Sequence, residues 1–211
     1  MPVLIKICGL TTAATVDATV RGGATHIGLV FYAPSPRDLS ADAAAALAQR
    51  VPAHVRTVGV FVDPARDLIE RVFASVRLDV VQLHGSESAD DAGRIRDRHG
   101  CEVWKAIPVR ARADLTAASG WRGAVDRILF DAKTDADLPG GMGVRFDWRL
   151  LDGFAHAMPW GLSGGLDATN VAEALRITGA PLIDVSSGVE TAPGIKSVDK
   201  IAAFLKAASL S

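Results

Sequence analysis

The fold of this chain is indicated by the stretch LDVVQLHGSESADDAGRIRDRHG at residues 78–100. Residues 79–83 form a short apolar run with β-branched side chains, which predicts a buried strand. Residues 87–99 form a longer run that predicts a helix, and Gly100 stands where that helix should stop. The stretch therefore predicts one strand followed by one helix.

The same unit recurs along the whole chain. Further strands are predicted at 3–8, 25–31, 55–62, 103–107, 126–131, 159–163 and 182–186. Further helical segments are predicted near 12–22, 40–50, 64–75, 111–119, 147–152, 167–178 and 197–208. Ser40, Asp63 and Asp167 precede helical runs and are the expected N-caps, and Gly179 should end a helix as Gly100 does.

Repeated units without a linker predict one domain over residues 1–211, an α/β fold of the (β/α)₈ TIM-barrel type. Its eight parallel strands would carry the active site at their C-terminal ends. The alternative is an open doubly wound sheet. That fold would need a Gly-rich dinucleotide loop after the first strand, and Cys8-Gly9-Leu10-Thr11-Thr12 is not one.

Composition restricts the partners and the compartment. The chain has 211 residues, 49% hydrophobic and 22% charged, with a formal net charge of −1 and no basic cluster, so nucleic acid is not an expected partner. No apolar run approaches the ~20 residues that span a bilayer, so no membrane partner is expected. Cys8 and Cys101 would lie at opposite ends of the barrel and should not pair. Free thiols without a leader segment point to the cytoplasm.

Two strand ends carry groups suited to acid–base chemistry. Cys8 ends the first strand and Asp131 ends the sixth, so both should face the barrel mouth. An apolar rim would raise the pKa of Asp131 and suit a general acid, although a cap for the next segment is equally consistent. Lys6 shares a face with Cys8 and would either favour the thiolate or pair with Asp184 on the last strand. We favour the pairing with some electrostatic benefit.

Two glycine-containing loops follow the last two strands. Ser163-Gly164-Gly165 opens a helix, and Ser186-Ser187-Gly188 follows the eighth strand. In barrels these two loops often bind phosphate, because backbone N–H groups, hydroxyls and a helix dipole converge there. The segment 132–146, with Gly140, Gly141 and Gly143, has the length and composition of a lid.

Arg37 and the histidines are less specific signals. Pro34 and Pro36 stiffen the loop around Arg37, and a fixed guanidinium suits a carboxylate ligand. Taken alone, however, Arg37 is more simply a surface arginine. His84 at the fourth strand end would either line the pocket or be satisfied by backbone. The five histidines show no metal-ligand spacing, so no metal site is expected.

Taken in order, these motifs resemble the phosphoribosylanthranilate isomerase family of tryptophan biosynthesis. They are Lys6-Ile7-Cys8-Gly9, Ser35-Pro36-Arg37, Gln82-Leu83-His84-Gly85, Leu129-Phe130-Asp131, Gly140-Gly141-Met142-Gly143, Phe146-Asp147-Trp148, Leu162-Ser163-Gly164-Gly165-Leu166 and Asp184-Val185-Ser186-Ser187-Gly188-Val189-Glu190.

The resemblance implies a cofactor-free Amadori rearrangement of a phosphorylated sugar–anthranilate substrate. Asp131 would be the general acid that opens the ribose ring, and Cys8 the general base that removes a proton from the adjacent carbon. Arg37 would hold the anthranilate carboxylate, and His84 and Asp184 would also bind the substrate. Phosphate would be bound by Gly143, Gly164, Gly165, Ser186, Ser187 and Gly188.

Two other functions are considered. The aminoaldose isomerase of histidine biosynthesis generally has an aspartate where Cys8 stands, so the cysteine argues against it as the main activity. A barrel that binds a phosphorylated ligand without turnover would have no reason to keep both Cys8 and Asp131. The chain could work as a monomer or a homodimer.

Overall fold

The protein is a closed barrel of parallel strands. The computed structural model describes residues 2–132 and 146–210, so Gly143 and the other residues at 133–145 of the predicted lid at 132–146 lie outside the described residues. The eight strands follow one another around the barrel in chain order. They are β1 (Leu4–Cys8), β2 (His26–Phe31), β3 (Arg56–Phe61), β4 (Val80–Leu83), β5 (Glu102–Val109), β6 (Arg127–Ala132), β7 (Trp160–Leu162) and β8 (Leu182–Val185). The (β/α)₈ prediction is confirmed, and the open sheet is excluded because β8 pairs with β1.

Helices connect most of the strands on the outside. The α-helices are α1 (Ala13–Arg21), α2 (Ala41–Ala48), α3 (Arg66–Ser75), α4 (Ala89–His99), α5 (Val171–Thr178) and α6 (Val198–Ser209). In the described part of the chain three segments are 3₁₀ helices: Arg112–Trp121, Trp148–Leu151 and Ser187–Val189. In the first of them the hydroxyls of Thr116 and Ser119 donate to carbonyls three residues earlier, which suits this tighter helix.

A short hairpin follows β8 and was not predicted. Its strands, β9 (Glu190–Ala192) and β10 (Ile195–Lys196), pair antiparallel beside the barrel mouth. Pro193 and Gly194 lie between them, and Gly194 has a φ of 82°. A Cβ at Gly194 would lie 2.5 Å from the carbonyl oxygen of Pro36, so the hairpin packs closely on the loop after β2.

The predicted helix ends are partly right. The Ser40 side chain accepts a hydrogen bond from the N–H of Ala43 at 3.2 Å, as expected of an N-cap. Gly100 and Gly179 end α4 and α5 in the left-handed conformation, with φ of 63° and 61°. These three predictions are confirmed.

The two aspartate N-caps are wrong. α3 begins after Ala65, and the Asp63 carboxylate instead accepts hydrogen bonds from the N–H and the hydroxyl of Ser86. α5 begins after Asn170, and Asp167 accepts from the N–H and hydroxyl of Thr169 in the turn before it. In both cases the carboxylate accepts hydrogen bonds from a loop residue and not from the first turn of the helix.

The core has two layers. Ile5 and Ile7 of β1 face outward, into the large cluster that also holds Ile201 and Phe204 of α6. The smaller cluster fills the barrel itself, and its members are Cys8, Val30, Val58, Val60, Val80, Trp104, Ala106, Leu129 and Leu182. Because side chains alternate along a strand, residues two positions beyond these also face the barrel axis. Within the described residues, no helix has the length and apolar character needed to cross a membrane.

Candidate active site

Cys8 lies at the C-terminal end of β1 and faces the barrel interior. It is buried, with 7% of its surface exposed. Its neighbour on β2 is Gly28, and a Cβ at Gly28 would lie 2.8 Å from the sulfur of Cys8. The absence of a side chain at Gly28 therefore provides the space that the thiol occupies.

Lys6 and Asp184 form a fully buried ion pair next to this thiol. The barrel closure places Lys6 opposite Asp184, and the ammonium nitrogen lies 2.8 Å from Oδ2 of the carboxylate. The pairing expected from the sequence is confirmed. Among the described residues Oδ1 of Asp184 has no hydrogen-bond partner, so one buried acceptor remains available beside Cys8.

The charges around Cys8 set its ionisation. Burial raises the pKa of the Cys8 thiol; the positive charges of Lys6 and Lys196 oppose this rise, and Asp184 adds to it. Burial by itself would lower the pKa of Lys6, but the charges of Asp184 and Cys8 outweigh burial and raise it. Lys6 is therefore an ammonium that favours the thiolate, as predicted, yet burial keeps Cys8 mainly a thiol at neutral pH.

Asp131 and His84 meet at the same end of the barrel. Asp131 lies two residues after Leu129, which belongs to the interior cluster, and it is 5% exposed. Nε2 of His84 lies 3.0 Å from Oδ2 of Asp131. Oδ1 of Asp131 accepts a hydrogen bond from the N–H of Ala132 at 2.9 Å. His84 thus lies at the same end of the barrel as Asp131, and its ring contacts the predicted acid.

The glycine loops after β7 and β8 touch each other beside Asp131. Gly164 and Gly165 have φ of 87° and 66°, and a Cβ at Gly164 would lie 2.7 Å from Oδ1 of Asp131. A Cβ at Gly188 would lie 1.9 Å from the carbonyl oxygen of Leu166. Only glycine permits these approaches, so the two loops form one continuous edge of the mouth, which also contains Ser186 and Ser187.

Arg37 is buried, and the expectation of a surface arginine is wrong. Its side chain crosses Gly9, where a Cβ would lie 2.5 Å from Cδ of Arg37. The guanidinium binds Glu190 in a fork, with Nε to Oε1 at 2.7 Å and Nη2 to Oε2 at 2.8 Å. The loop after β2 folds inward because the hairpin packs on it, and this places the guanidinium at the mouth.

Sequence reasoning missed two charged residues of this region, Glu190 and Lys196. The Lys196 ammonium donates to Oε1 of Glu190 at 2.5 Å and to the carbonyl and hydroxyl oxygens of Ser186, both at 3.1 Å. Burial by itself would raise the pKa of Glu190, but the hydrogen bonds and charges of Arg37 and Lys196 lower it. The Pro193-Gly194 dipeptide was the available signal, because it predicts a turn that returns Lys196 to Glu190.

The described residues contain no group of three His, Cys, Asp or Glu side chains placed to hold a metal ion. What they bring together is a thiol, a carboxyl group 3.0 Å from an imidazole nitrogen, and a glycine-lined edge, all at the C-terminal strand ends. An arrangement of this kind is typical of a (β/α)₈-barrel enzyme that carries ionisable groups at its C-terminal strand ends.

Comparison with known proteins identifies the particular family. The family model described as N-(5'phosphoribosyl)anthranilate (PRA) isomerase matches residues 5–207. The N-(5'-phosphoribosyl)anthranilate isomerase of Zymomonas mobilis is 53% identical over 211 residues, 100% of both chains. The chain belongs to the N-(5'-phosphoribosyl)anthranilate isomerase family.

Solved structures give the same result. The crystal structure of phosphoribosyl anthranilate isomerase from Thermotoga maritima matches with a TM-score of 0.87 and 35% identity, covering 99% of this chain and 100% of that one. A crystal structure of a phosphoribosyl anthranilate isomerase in complex with reduced 1-(o-carboxyphenylamino)-1-deoxyribulose 5-phosphate matches with a TM-score of 0.82 and 34% identity, over 99% and 100% of the two chains.

Proposed function

We propose that this chain converts N-(5-phosphoribosyl)anthranilate to 1-(2-carboxyphenylamino)-1-deoxyribulose 5-phosphate in tryptophan biosynthesis, using Asp131 as general acid and Cys8 as general base. Membership of the isomerase family supports the reaction. The observation that carries the residue roles is the burial of Cys8 and Asp131 at the same end of one barrel. The bound ligand of the related crystal structure has the carbon skeleton of this product.

Asp131 acts first in the proposed mechanism. Its carboxyl group donates a proton to the ribose ring oxygen, the ring C–O bond breaks, and the nitrogen lone pair forms a Schiff base. The contact of 3.0 Å between His84 and Asp131 supports this role, because it holds the carboxyl group in one orientation.

Cys8 acts second. Its thiolate removes the proton from the sugar carbon next to the Schiff base, and the electron pair moves to the nitrogen to give an enolamine, which tautomerises to the ketone. A raised pKa makes the thiolate scarce but also a stronger base. The ammonium groups of Lys6 and Lys196 stabilise the thiolate when it forms.

The remaining residues bind the substrate. The Arg37 guanidinium is held at the mouth by Glu190 and would pair with the anthranilate carboxylate. Oδ1 of Asp184 would accept a hydrogen bond from a sugar hydroxyl. The phosphoryl group would lie on the loop edge made by Gly164, Gly165, Ser186, Ser187 and Gly188. Gly143 belongs to the same proposed set.

The domain organisation, the location, the oligomeric state and the partner of the chain are also proposals. The chain would act as one domain over residues 1–211, in the cytoplasm, as a monomer or a homodimer. Its partner would be the small-molecule substrate, without a cofactor. The common barrel of all eight strands supports the single domain.

A direct assay tests the activity. Phosphoribosylanthranilate is generated in solution, the purified protein is added, and the substrate's fluorescence is followed. We expect the fluorescence to fall at a rate proportional to protein concentration. A steady signal would contradict the proposed function. The aminoaldose substrate of histidine biosynthesis, tested in parallel, should be turned over far more slowly or not at all.

A further inference from the structure

Lys196 is a buried charge whose place in the mechanism above is only to help stabilise the Cys8 thiolate. It is the last residue of β10, and its side chain is 0% exposed. Taking an ammonium out of water costs several kcal/mol unless close partners compensate. Here the compensation comes from three oxygen atoms, one of Glu190 and two of Ser186. Burial lowers the pKa of Lys196, Glu190 offsets part of this, and the three acceptors are those of an ammonium ion.

The contact with Ser186 fixes the direction of a hydroxyl. A protonated lysine can only donate hydrogen bonds, so the hydroxyl oxygen of Ser186 accepts from Lys196. The hydroxyl hydrogen of Ser186 must then point to another acceptor. Ser186 directly follows β8 and belongs to the loop edge proposed for phosphate. A phosphoryl oxygen placed there is an acceptor suited to this hydrogen.

The same ammonium lies next to Cys8. A Cβ at Gly9, the residue after Cys8, would lie 3.3 Å from Nζ of Lys196. The charged groups around the thiol come from several elements and are Lys6 of β1, Asp184 of β8, Glu190 of β9, Lys196 of β10 and Arg37 of the loop after β2. Lys6 is already paired with Asp184, and the negative charge of Asp184 opposes the effect of Lys6 on the pKa of the thiol. Lys196 supplies a second positive charge near the sulfur.

We propose that Lys196 is a positioning residue with two effects, one on the binding of the substrate's phosphoryl group and one on the base Cys8. It aims the Ser186 hydroxyl at the substrate's phosphoryl group and holds a positive charge beside the base Cys8, and Glu190 keeps it in place. This inference rests on the proposed function, because it assigns the phosphoryl group to the Ser186 loop and the base to Cys8.

The test removes the charge at nearly constant length with Lys196→Met. Two quantities are measured: the inhibition constant of inorganic phosphate, and the pH dependence of kcat/KM. We expect phosphate to inhibit about tenfold more weakly, as after loss of one charge-assisted hydrogen bond. We also expect the rise of kcat/KM with pH to move to higher pH, since the thiolate loses a neighbouring cation.

Lys200→Met is the matched control. The Lys200 ammonium donates to the backbone carbonyl of Glu190 at 2.6 Å but lies on the exposed side of α6. This variant should leave the phosphate inhibition and the pH profile as in the wild type. Should Lys196→Met not fold, Lys196→Gln keeps a donor toward Glu190 without the charge and is expected to give the same two changes.

A double-mutant cycle with Ser186→Ala tests whether Lys196 affects phosphate binding through the Ser186 hydroxyl or only through its positive charge. If Lys196 acts through Ser186, the loss of phosphate inhibition caused by Lys196→Met is much smaller in the Ser186→Ala background. Unchanged phosphate inhibition and an unchanged pH profile in a folded Lys196 variant would overturn the inference. Failure of the proposed function would appear separately, as an inactive wild type.

Discussion

At the scale of single residues, the proposed chemistry depends on a thiol in surroundings that oppose its ionisation. Burial raises the pKa of Cys8, and the positive charges of Lys6 and Lys196 oppose part of this rise. Asp131 lies across from it with an imidazole 3.0 Å from one oxygen and a backbone N–H 2.9 Å from the other. Both groups have fixed positions before any substrate arrives, which is what acid–base catalysis requires.

Cys8→Ser and Asp131→Asn should each lower kcat at least about a hundredfold while the barrel stays folded. General acid–base assistance contributes roughly 10²–10⁴-fold per group, and both substitutions nearly keep the side-chain volume. Steady-state kinetics and thermal melts measure the two parts of this prediction. Turnover close to the wild-type rate in either variant would refute the role given to that residue.

Cys101→Ala serves as the control for the thiol. Cys101 is also buried, and burial raises its pKa to about 11, but it precedes β5 at the opposite end of the barrel. Its loss should change kcat little, because it lies far from the mouth. A large loss of activity in this variant would show that the kinetic effect of Cys8→Ser reports something other than proton transfer.

The sequence predicted some of these residues and missed others for a physical reason. Cys8, Asp131 and the Lys6–Asp184 pair follow from strand ends and barrel closure, which are regular. The burial of Arg37 depends on a partner 153 residues away in a hairpin outside the barrel pattern. The periodic pattern of the sequence does not indicate a contact between Arg37 and this hairpin.

At the scale of elements, the close contact between β1 and β2 determines where the thiol lies. Gly28→Ala would place a Cβ 2.8 Å from the sulfur of Cys8 and 3.0 Å from its Cα. We expect a loss of about 1–3 kcal/mol in the free energy of unfolding, because the two strands must move apart. We also expect a fall in kcat/KM, because the thiol is displaced. Urea unfolding and kinetics measure the two effects.

Gly93→Ala is the matched comparison for this prediction. Gly93 lies inside α4 and a Cβ there meets nothing within 4 Å. Alanine should be neutral or stabilise the protein by up to about 1 kcal/mol, because glycine is a poor helix former. Equal effects of the two substitutions would contradict the steric argument for Gly28.

Element types and most element bounds were predictable, whereas several local hydrogen bonds were not. Ser40 caps α2 because its donors lie in its own helix. Asp63 does not cap α3, because Ser86, which lies in the loop after β4, supplies better donors. A carboxylate can accept hydrogen bonds from any donor within reach, and only some of those donors are neighbours in sequence.

At the scale of the whole molecule, closure of the barrel buries a histidine whose protonation is unfavourable in the folded state. His26 is 3% exposed, and its ring lies 5.2 Å from that of Trp104. Burial, followed by the charges of Arg56, Lys6 and Arg127, lowers its pKa from 6.5 to about 3. Below pH 6.5 the unfolded chain binds a proton that the folded chain does not, so stability falls as the pH falls.

This linkage predicts acid sensitivity with a defined source. Between pH 6 and pH 4, His26 should cost roughly 1.4 kcal/mol of folding stability per pH unit. In His26→Gln, which has no charge to gain, the slope of stability against pH should be smaller by about that amount. Urea unfolding at several pH values measures the slope. An unchanged slope in His26→Gln would refute the assignment.

The amino-acid sequence was enough to predict the barrel, its mouth and the two groups proposed for proton transfer. Alternating apolar strands and helices allow few closed arrangements. The residue at the end of each strand can then be identified from the sequence. The three-dimensional structure was needed to show that Arg37 and Lys196 are buried around Glu190, that His84 contacts Asp131, and that His26 lies inside the barrel. The energy of a buried charge or an imidazole depends on which groups surround it in space, and those groups come from distant parts of the chain.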